Sequence, residues 1–325
     1  MTFAIGVDLG GTNLRIAAVD DSGRVLDKVS LGTGVARGRS AVLDEMCAAI
    51  KQTSGKLAGA RKLVGIGIGV PGIIDMGSGM LRQSPNLPGW EDYPVREEIE
   101  QRLATRVVLE NDANVAALGE KWLGAAKDMD DMLMLTLGTG VGGGSVLGER
   151  IWHGARGMAG EPGHINVVRD GYPCGCGSRG CLEQYASATA VVRLAREAVA
   201  SGKAPGLAQA DASGKLSARV VFELAQQGDR PAQEVYKVAG RALGLALAGL
   251  VNLLNLPMYV VGGGVSDAWE AFAPAMLEEV VKRSFVYRAT APESTTPGRK
   301  TVIARALLGS DAGLIGAARL PMLVA

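Results

Sequence analysis

The sequence predicts an α/β protein of two domains, and three observations carry that prediction. The chain has 325 residues with 47% hydrophobic and 21% charged composition, enough to bury two cores. A strand–glycine turn–strand pattern occurs twice, first as "FAIGV-DLGGTN-LRIAAVD" and again as "DMLMLTL-GTGVGGG-SVLGERIW". A third strand, "MYVV", also runs into glycines, "GGGV", and helical patterns fill the intervals. Such a repeat reads as an internal duplication, and duplicated α/β halves facing each other make a cleft.

The elements follow in order. "FAIGV", "LRIAAVD" and "VLDKVSL" alternate and carry β-branched residues, with Asp-Ser-Gly turning the chain between the second and third. From about Ser40 a helix is expected, because Val42, Leu43, Met46, Ala49 and Ile50 share one face; Cys47 beside it reads as a small core residue. "LVGIGIGV" is a glycine-rich strand, and "PVREEIEQRL" a helix with Val95, Ile99 and Leu103 at four-residue spacing. The strand "RVVLE" runs into Asn111 and Asp112, and a helix opens near Ala113. Beyond the second glycine turn the pattern is mostly helical: Ser217 caps "ARVVFELAQQ", a long helix spans about Pro231 to Asn255, "TVIARA" is a late strand, and "SDAGLIGAARL" a final helix opened by Ser310 or Asp311. Residues 291–300 read as a surface loop.

Charge and hydropathy narrow the partners. The formal net charge is +1, from 34 basic and 33 acidic residues with no run of either sign, which supplies no field for nucleic acid or anionic lipid. A small-molecule partner is expected. "MTFAIGVDLGGT" has no basic segment ahead of its apolar residues, unlike a signal peptide. "ALGLALAGLVNLLNLP" is broken by Asn252, Asn255 and Pro257 and reads as a buried helix rather than a membrane span. Four cysteines do not make a secreted disulfide scaffold, so a cytoplasmic location is expected.

Glycine is the unusual component: 46 residues, about twice the average usage, gathered at five places. A glycine pair after a strand exposes N–H groups to an anion with no side chain in the way. In the first loop, Gly10 and Gly11 are followed by Thr12 and Asn13, which add side-chain donors, while Asp8 at the strand end could hold magnesium through water. Gly138, Thr139 and Gly140 occupy the second loop. Neither a Gly-Lys-Ser/Thr phosphate loop nor a dinucleotide fingerprint is present: "GTGVGG" has the glycine spacing of the latter but runs on into a strand.

Two further clusters carry chemistry. Asn111-Asp112 falls where a parallel strand ends and a helix begins, the usual place for a ligand crevice. Taken alone, the dipeptide favours a helix cap; Asn111 could cap, or grip a hydroxyl, while Asp112 acts as a base. "PCGCGSRGCLE" holds Cys174, Cys176 and Cys181, a spacing that lacks the Cys-x-x-Cys of a redox site. With His164 ten residues earlier, the pattern suits a closed tetrahedral zinc site, helped by Gly175, Gly177 and Gly180 for tight turns. Buried apolar thiols in an ordinary loop are the alternative reading.

Nearly end to end, "DLGGTN", "GVPG", "SPNLPGW", "LENDANVAALGE", "LTLGTGVGGG", "AGEPGH", "CGCGSRGCLE" and "VVGGGVS" resemble, in order, the motifs of the ROK family of sugar kinases and repressors, above all its glucokinase type. The resemblance implies an actin-like, ribonuclease H-like pair of α/β domains with a cleft for sugar and ATP, the small one comprising residues 1–113 plus 309–325 and the large one 114–308. It implies ATP-dependent phosphorylation of glucose at the 6-hydroxyl, giving glucose 6-phosphate, with Asp112 as general base. Gly72, Asn86, Asn111, Asp112, Glu161, His164 and Glu183 would contact the sugar, the last three of these gripping hydroxyls at C1 to C3. The two glycine loops would hold phosphates, Gly262, Gly263 and Gly264 would lie against the adenosine, and zinc on His164, Cys174, Cys176 and Cys181 would stiffen the sugar pocket. His153 matches a family loop position and takes no catalytic role.

Several readings stay open within the resemblance. The acceptor could instead be mannose, fructose, N-acetylglucosamine or N-acetylmannosamine, and Pro162 departs from the residues more frequent there in glucokinases, which leaves the preference at C2 open. Polyphosphate could replace ATP as donor, although members that use it usually lack the cysteine cluster. A sugar-sensing regulator is a further reading; such members carry a helix-turn-helix domain in front, whereas here the first strand begins at Phe3. A homodimer or higher homo-oligomer is common among relatives.

Overall fold

The computed structural model describes residues 1–324 and opens with a hairpin meander: β1 (Thr2–Leu9), β2 (Asn13–Asp20) and β3 (Val25–Gly32). Then come α1 (Arg39–Gly55), β4 (Lys62–Val70), the small hairpin β5 (Ile73–Asp75) and β6 (Met80–Gln83), α2 (Val95–Leu103), β7 (Val107–Asn111) and α3 (Asp112–Leu123). The five-stranded sheet has the order β3-β2-β1-β4-β7, with β1, β4 and β7 parallel and β1, β2 and β3 successively antiparallel.

The second half repeats the plan. β8 (Met132–Leu137), β9 (Val141–Leu147) and β10 (Arg150–Ile151) are followed by α4 (Glu183–Ala186), α5 (Ala188–Ala200), α6 (Pro205–Ala212), α7 (Ala218–Gln226) and α8 (Arg230–Leu254). β11 (Met258–Gly262), α9 (Trp269–Arg283), α10 (Phe285–Thr290), β12 (Val302–Arg305) and α11 (Ala312–Val324) complete the chain. The strand order β10-β9-β8-β11-β12 matches that of the first sheet position for position, which is the duplication the glycine turns announce. The glycines 142–144 are strand residues of β9 rather than a turn. A side chain on Gly143 would press on Pro162 and the Met134 carbonyl, so the strand needs glycine for close packing.

Contacts divide the chain into two compact units, one of residues 1–130, 144–160 and 307–325, the other of 131–143 and 161–306. The sequence reading cuts after residue 113 and at 309; the first unit takes in α3, because α3 packs along α11. Gly119 and Gly316 make that approach possible, since a side chain on either would meet backbone of the opposite helix.

Period-2 alternation explains the first sheet. Phe3, Ile5, Val7 and Leu9 of β1 point into a core shared with Leu43, Met46 and Ile50 of α1. The intervening Ala4 faces Leu314 and Ala318 of α11, and a side chain on Gly6 would collide with the Leu314 carbonyl. Large residues on one face and small ones on the other let α11 lie directly on the strands. Glu120, fully buried near the end of α3, accepts hydrogen bonds from the N–H groups of Ala125 (2.8 Å), Leu307 (3.1 Å) and Leu308 (2.7 Å). Its carboxylate thereby ties the α3 exit to the segment that enters α11.

Ser217 caps α7 as expected, and α8 is capped by Asp229, whose side chain accepts from Ala232 N–H. α8 is long and apolar enough to cross a membrane, with mean hydropathy 1.4, but half of that stretch is buried inside the protein.

Candidate active site

In the first unit the carboxyl ends of β1, β4 and β7 converge. Register places Asp8 beside Gly69, Gly69 beside Glu110, and Val70 beside Asn111. The loop Gly10–Thr12 closes on itself through Gly10 N–H to Asn13 O (2.8 Å) and is pinned by Thr33 Oγ1 donating to Gly10 O (2.6 Å). The Asn86 backbone lies so near Gly11 that any side chain there would strike it. Thr12, Asn13 and Asn86 are exposed around this loop.

Asn111 settles the cap. Its Oδ1 accepts from the N–H groups of Ala113 (2.9 Å) and Asn114 (3.2 Å), and its Nδ2 donates to Gly72 O (3.1 Å). Gly72 has φ +115, and a side chain there would run into Gln83 and Ser84, so only glycine presents its carbonyl to Asn111. With capping done by Asn111, Asp112 is the first residue of α3, partly exposed, its Oδ1 accepting from Ala113 N–H (2.9 Å). A carboxylate at a helix N-terminus lies where the helix dipole favours negative charge.

Asp8 has a partner that the motif does not show. Arg15, opposite it in the β1–β2 register, donates to Asp8 Oδ2 (2.5 Å) and to Ser310 O (2.5 Å). Burial raises the Asp8 carboxyl above its ordinary range, while the Arg15 charge and hydrogen bond pull it back. The hairpin spacing alone could have flagged Arg15.

Glu110 is the second residue that sequence reasoning passed over. It is 2% exposed; Oε1 accepts from Asn111 N–H (2.8 Å) and Asn114 Nδ2 (2.9 Å), and Oε2 meets His153 Nε2 at 2.6 Å. The hydrogen bond to Glu110 raises the His153 imidazole above its usual value; burial opposes the rise and the Glu110 charge adds to it. His153 also lines a cavity of about 610 Å³ with Ile74, Asp75, Arg82 and Arg156. The one available signal was an acidic residue inside an otherwise apolar strand.

The second unit assembles the remaining residues. The Gly138–Gly140 turn is closed by Gly138 N–H to Gly140 O (2.9 Å) and carried on α5, where Ala188 N–H donates to Gly138 O and Thr189 Oγ1 to Thr139 O, both at 2.8 Å. Gly262 pairs with Thr136 in the sheet, so the Gly262–Gly264 turn sits next to the end of β8. A side chain on Gly263 would strike Leu137 backbone.

Glu183 opens α4 and accepts from Val141 N–H through Oε2 (3.1 Å). Glu161 precedes a 3₁₀ turn, Pro162–His164, that packs with Gly163 against the Val141 carbonyl. The surrounding protein raises the Glu161 carboxyl, His164 opposes that rise, and the Glu183 charge adds to it.

His164, Cys174, Cys176 and Cys181 come together with their ligand atoms all within 4.8 Å of one another. A tetrahedral zinc with three thiolates and one imidazole requires S···S and S···N separations of roughly 3.5–3.8 Å. Cys176 and Cys181 Sγ are 3.7 Å apart, as are Cys174 Sγ and His164 Nδ1, and all four cysteines of the chain are free thiols. The donor set fits. Ligation through Nδ1, the nitrogen nearest Cys174 Sγ, would leave His164 Nε2 for a second partner. The loop is closed by Cys174 N–H to Ser178 O (2.9 Å), Gly180 N–H to Tyr172 O (2.8 Å) and Val167 N–H to Gly180 O (2.8 Å). Gly177 and Gly180 have positive φ; Gly175 does not. At Gly180 (φ +71) any side chain would also collide with the Val168 carbonyl.

The sequence model of the ROK family matches residues 4–322. The chain is 41% identical over 315 residues to the glucokinase of Halalkalibacterium halodurans, covering 96% of this chain and 92% of that one. It is 38% identical over 318 residues to the glucokinase of Thermotoga maritima, covering 97% and 95%. Among solved structures, a ROK family glucokinase from Streptomyces griseus in complex with glucose and AMPPNP superposes with a TM-score of 0.78 at 36% identity, covering 98% of each chain.

Proposed function

The chain belongs to the ROK family, and we propose from that premise that it is an ATP-dependent hexose kinase of the glucokinase type, transferring the γ-phosphoryl group to the 6-hydroxyl of glucose. The observation that carries this reading is Asp112: with Asn111 committed to the cap, a carboxylate stands at the N-terminus of α3, at the carboxyl edge of parallel strands. The Streptomyces griseus relative binds glucose and an ATP analogue on the same fold, which supports both substrates.

The chemistry follows from the residues. Asp112 accepts the proton of the 6-hydroxyl as that oxygen attacks the γ-phosphorus, and the bond to the β–γ bridging oxygen breaks to release ADP. Backbone N–H groups of Gly11 and Thr12 and of Thr139 and Gly140 would bind phosphate oxygens, with Gly10 and Gly138 closing their turns, and Gly262–Gly264 would lie against the adenosine. Glu161, His164 through Nε2, and Glu183 take the hydroxyls at C1 to C3, while Asn86 and the Gly72 turn complete the sugar contacts. Magnesium would neutralise phosphate charge when bound, and Asp8 is the carboxylate that would hold it through water. His164, Cys174, Cys176 and Cys181 would hold a structural zinc.

α8, half buried in the protein, supports a soluble enzyme, and we place it in the cytoplasm, as a homo-oligomer acting on small molecules. A coupled assay over a hexose panel with ATP and with polyphosphate tests the whole reading. Turnover is expected with glucose and ATP. No turnover on any hexose, together with sugar-dependent DNA retention in a gel shift, would transfer the chain to the regulator reading; activity with polyphosphate alone would replace the donor.

A further inference from the structure

We propose that Glu110 and His153 form a positioning pair that holds Asp112 in its working geometry, an inference that rests on Asp112 being the base. Burying a carboxylate is costly unless its oxygens are fully engaged, so a buried one marks a place where geometry is fixed. The engagement of Glu110 brackets Asp112. Oε1 binds the N–H of Asn111, the residue before it, and the amide of Asn114, the third residue of α3. From the other side Asn111 Nδ2 is held by the Gly72 carbonyl.

What separates this arrangement from a plain structural anchor is the remaining oxygen. Oε2 is given to His153, 43 residues along the chain on a segment outside both α3 and β7, with a ring that is 34% exposed and lines the neighbouring cavity. The imidazole fixes the carboxylate from the solvent side, and the carboxylate fixes the turn that carries Asp112. A displacement of about 1 Å in a reacting group costs on the order of 10²-fold in rate, so loosening the turn should appear in turnover before it appears in binding.

The test is steady-state kinetics on purified His153→Ala, His153→Gln, Glu110→Gln, Asp112→Asn and the double variant His153→Ala/Asp112→Asn, each checked for folding by circular dichroism. In His153→Ala, kcat is expected to fall on the order of 10²-fold while the KM for hexose stays within about threefold. His153→Gln, whose amide can donate to Oε2, should restore most of kcat. In the Asp112→Asn background, His153→Ala should change the residual kcat no further, because the group being positioned has gone. Glu110→Gln keeps size and the acceptor for Asn111 while removing the charge, and reads the same loss if the histidine proves necessary for folding. An inactive Asp112→Asn with near-normal kcat in folded His153→Ala and Glu110→Gln overturns the pair alone. Independent, multiplicative losses in the double variant overturn it too. Near-normal turnover in Asp112→Asn overturns the base assignment and the pair with it.

Discussion

The carboxylate of Glu183 accepts a hydrogen bond from the N–H of Val141 at 3.1 Å, and its other oxygen lies 3.9 Å from Cys174 Sγ. One side chain thus touches the cysteine cluster, the start of β9 and the edge of the Gly138–Gly140 turn. If zinc, sugar and phosphates bind as proposed, disturbing the four ligand residues should therefore be felt at both substrates. In Cys181→Ser, zinc content is expected to fall well below one per chain, and kcat/KM for the hexose to drop on the order of 10- to 100-fold. Elemental analysis beside kinetics checks this; full activity in zinc-free protein would contradict it.

Asp112→Asn keeps the size of the side chain and leaves the Asn111 cap untouched. Turnover should fall on the order of 10²- to 10⁴-fold, the usual worth of a general base, while hexose affinity measured by calorimetry changes little. A parallel loss of affinity would mean that the carboxylate binds rather than reacts.

His153 gives a pH signature. Its imidazole lies above the ordinary 6.5 in the folded protein, chiefly through its hydrogen bond to Glu110. A group raised on folding contributes stability that is whole below its unfolded value and lost as pH climbs through the folded one. The gap in Tm between the wild type and His153→Ala should therefore be widest below the ordinary imidazole value of 6.5 and shrink as pH rises through the raised one. A gap that widens with pH would contradict the charged pairing.

Glu120 accepts three backbone N–H groups with none of its surface exposed. Glu120→Ala leaves those donors without partners and is expected to cost about 2–3 kcal/mol of stability, read by urea denaturation. A loss below about 0.5 kcal/mol would show that the donors find replacements.

The strands and main helices were legible because their patterns are local. Val42, Leu43, Met46, Ala49 and Ile50 of α1 are buried as their spacing demands, and Ser217 caps the helix it precedes. The glycines of β9 read locally as a turn, because the reason for them, contact with Pro162 and Met134, lies outside the segment. Nothing local to the dipeptide separates a capping residue from a general base; the structure gives the cap to Asn111. The cysteine cluster was readable from spacing, whereas the Glu110–His153 contact joins residues 43 positions apart and has no local signature.

Gly6 and Gly67 leave a bare strip on the first sheet into which the carbonyls of Leu314 and Ala317 of α11 fit. During translation the sheet of β1, β4 and β7 emerges from the ribosome long before that helix exists. The strip that α11 covers must stay open, or be shielded by a chaperone, until residues 312–324 are made. A nonsense mutation just ahead of this helix would therefore leave the earliest-made sheet unfinished, however intact the residues of the glycine and cysteine loops.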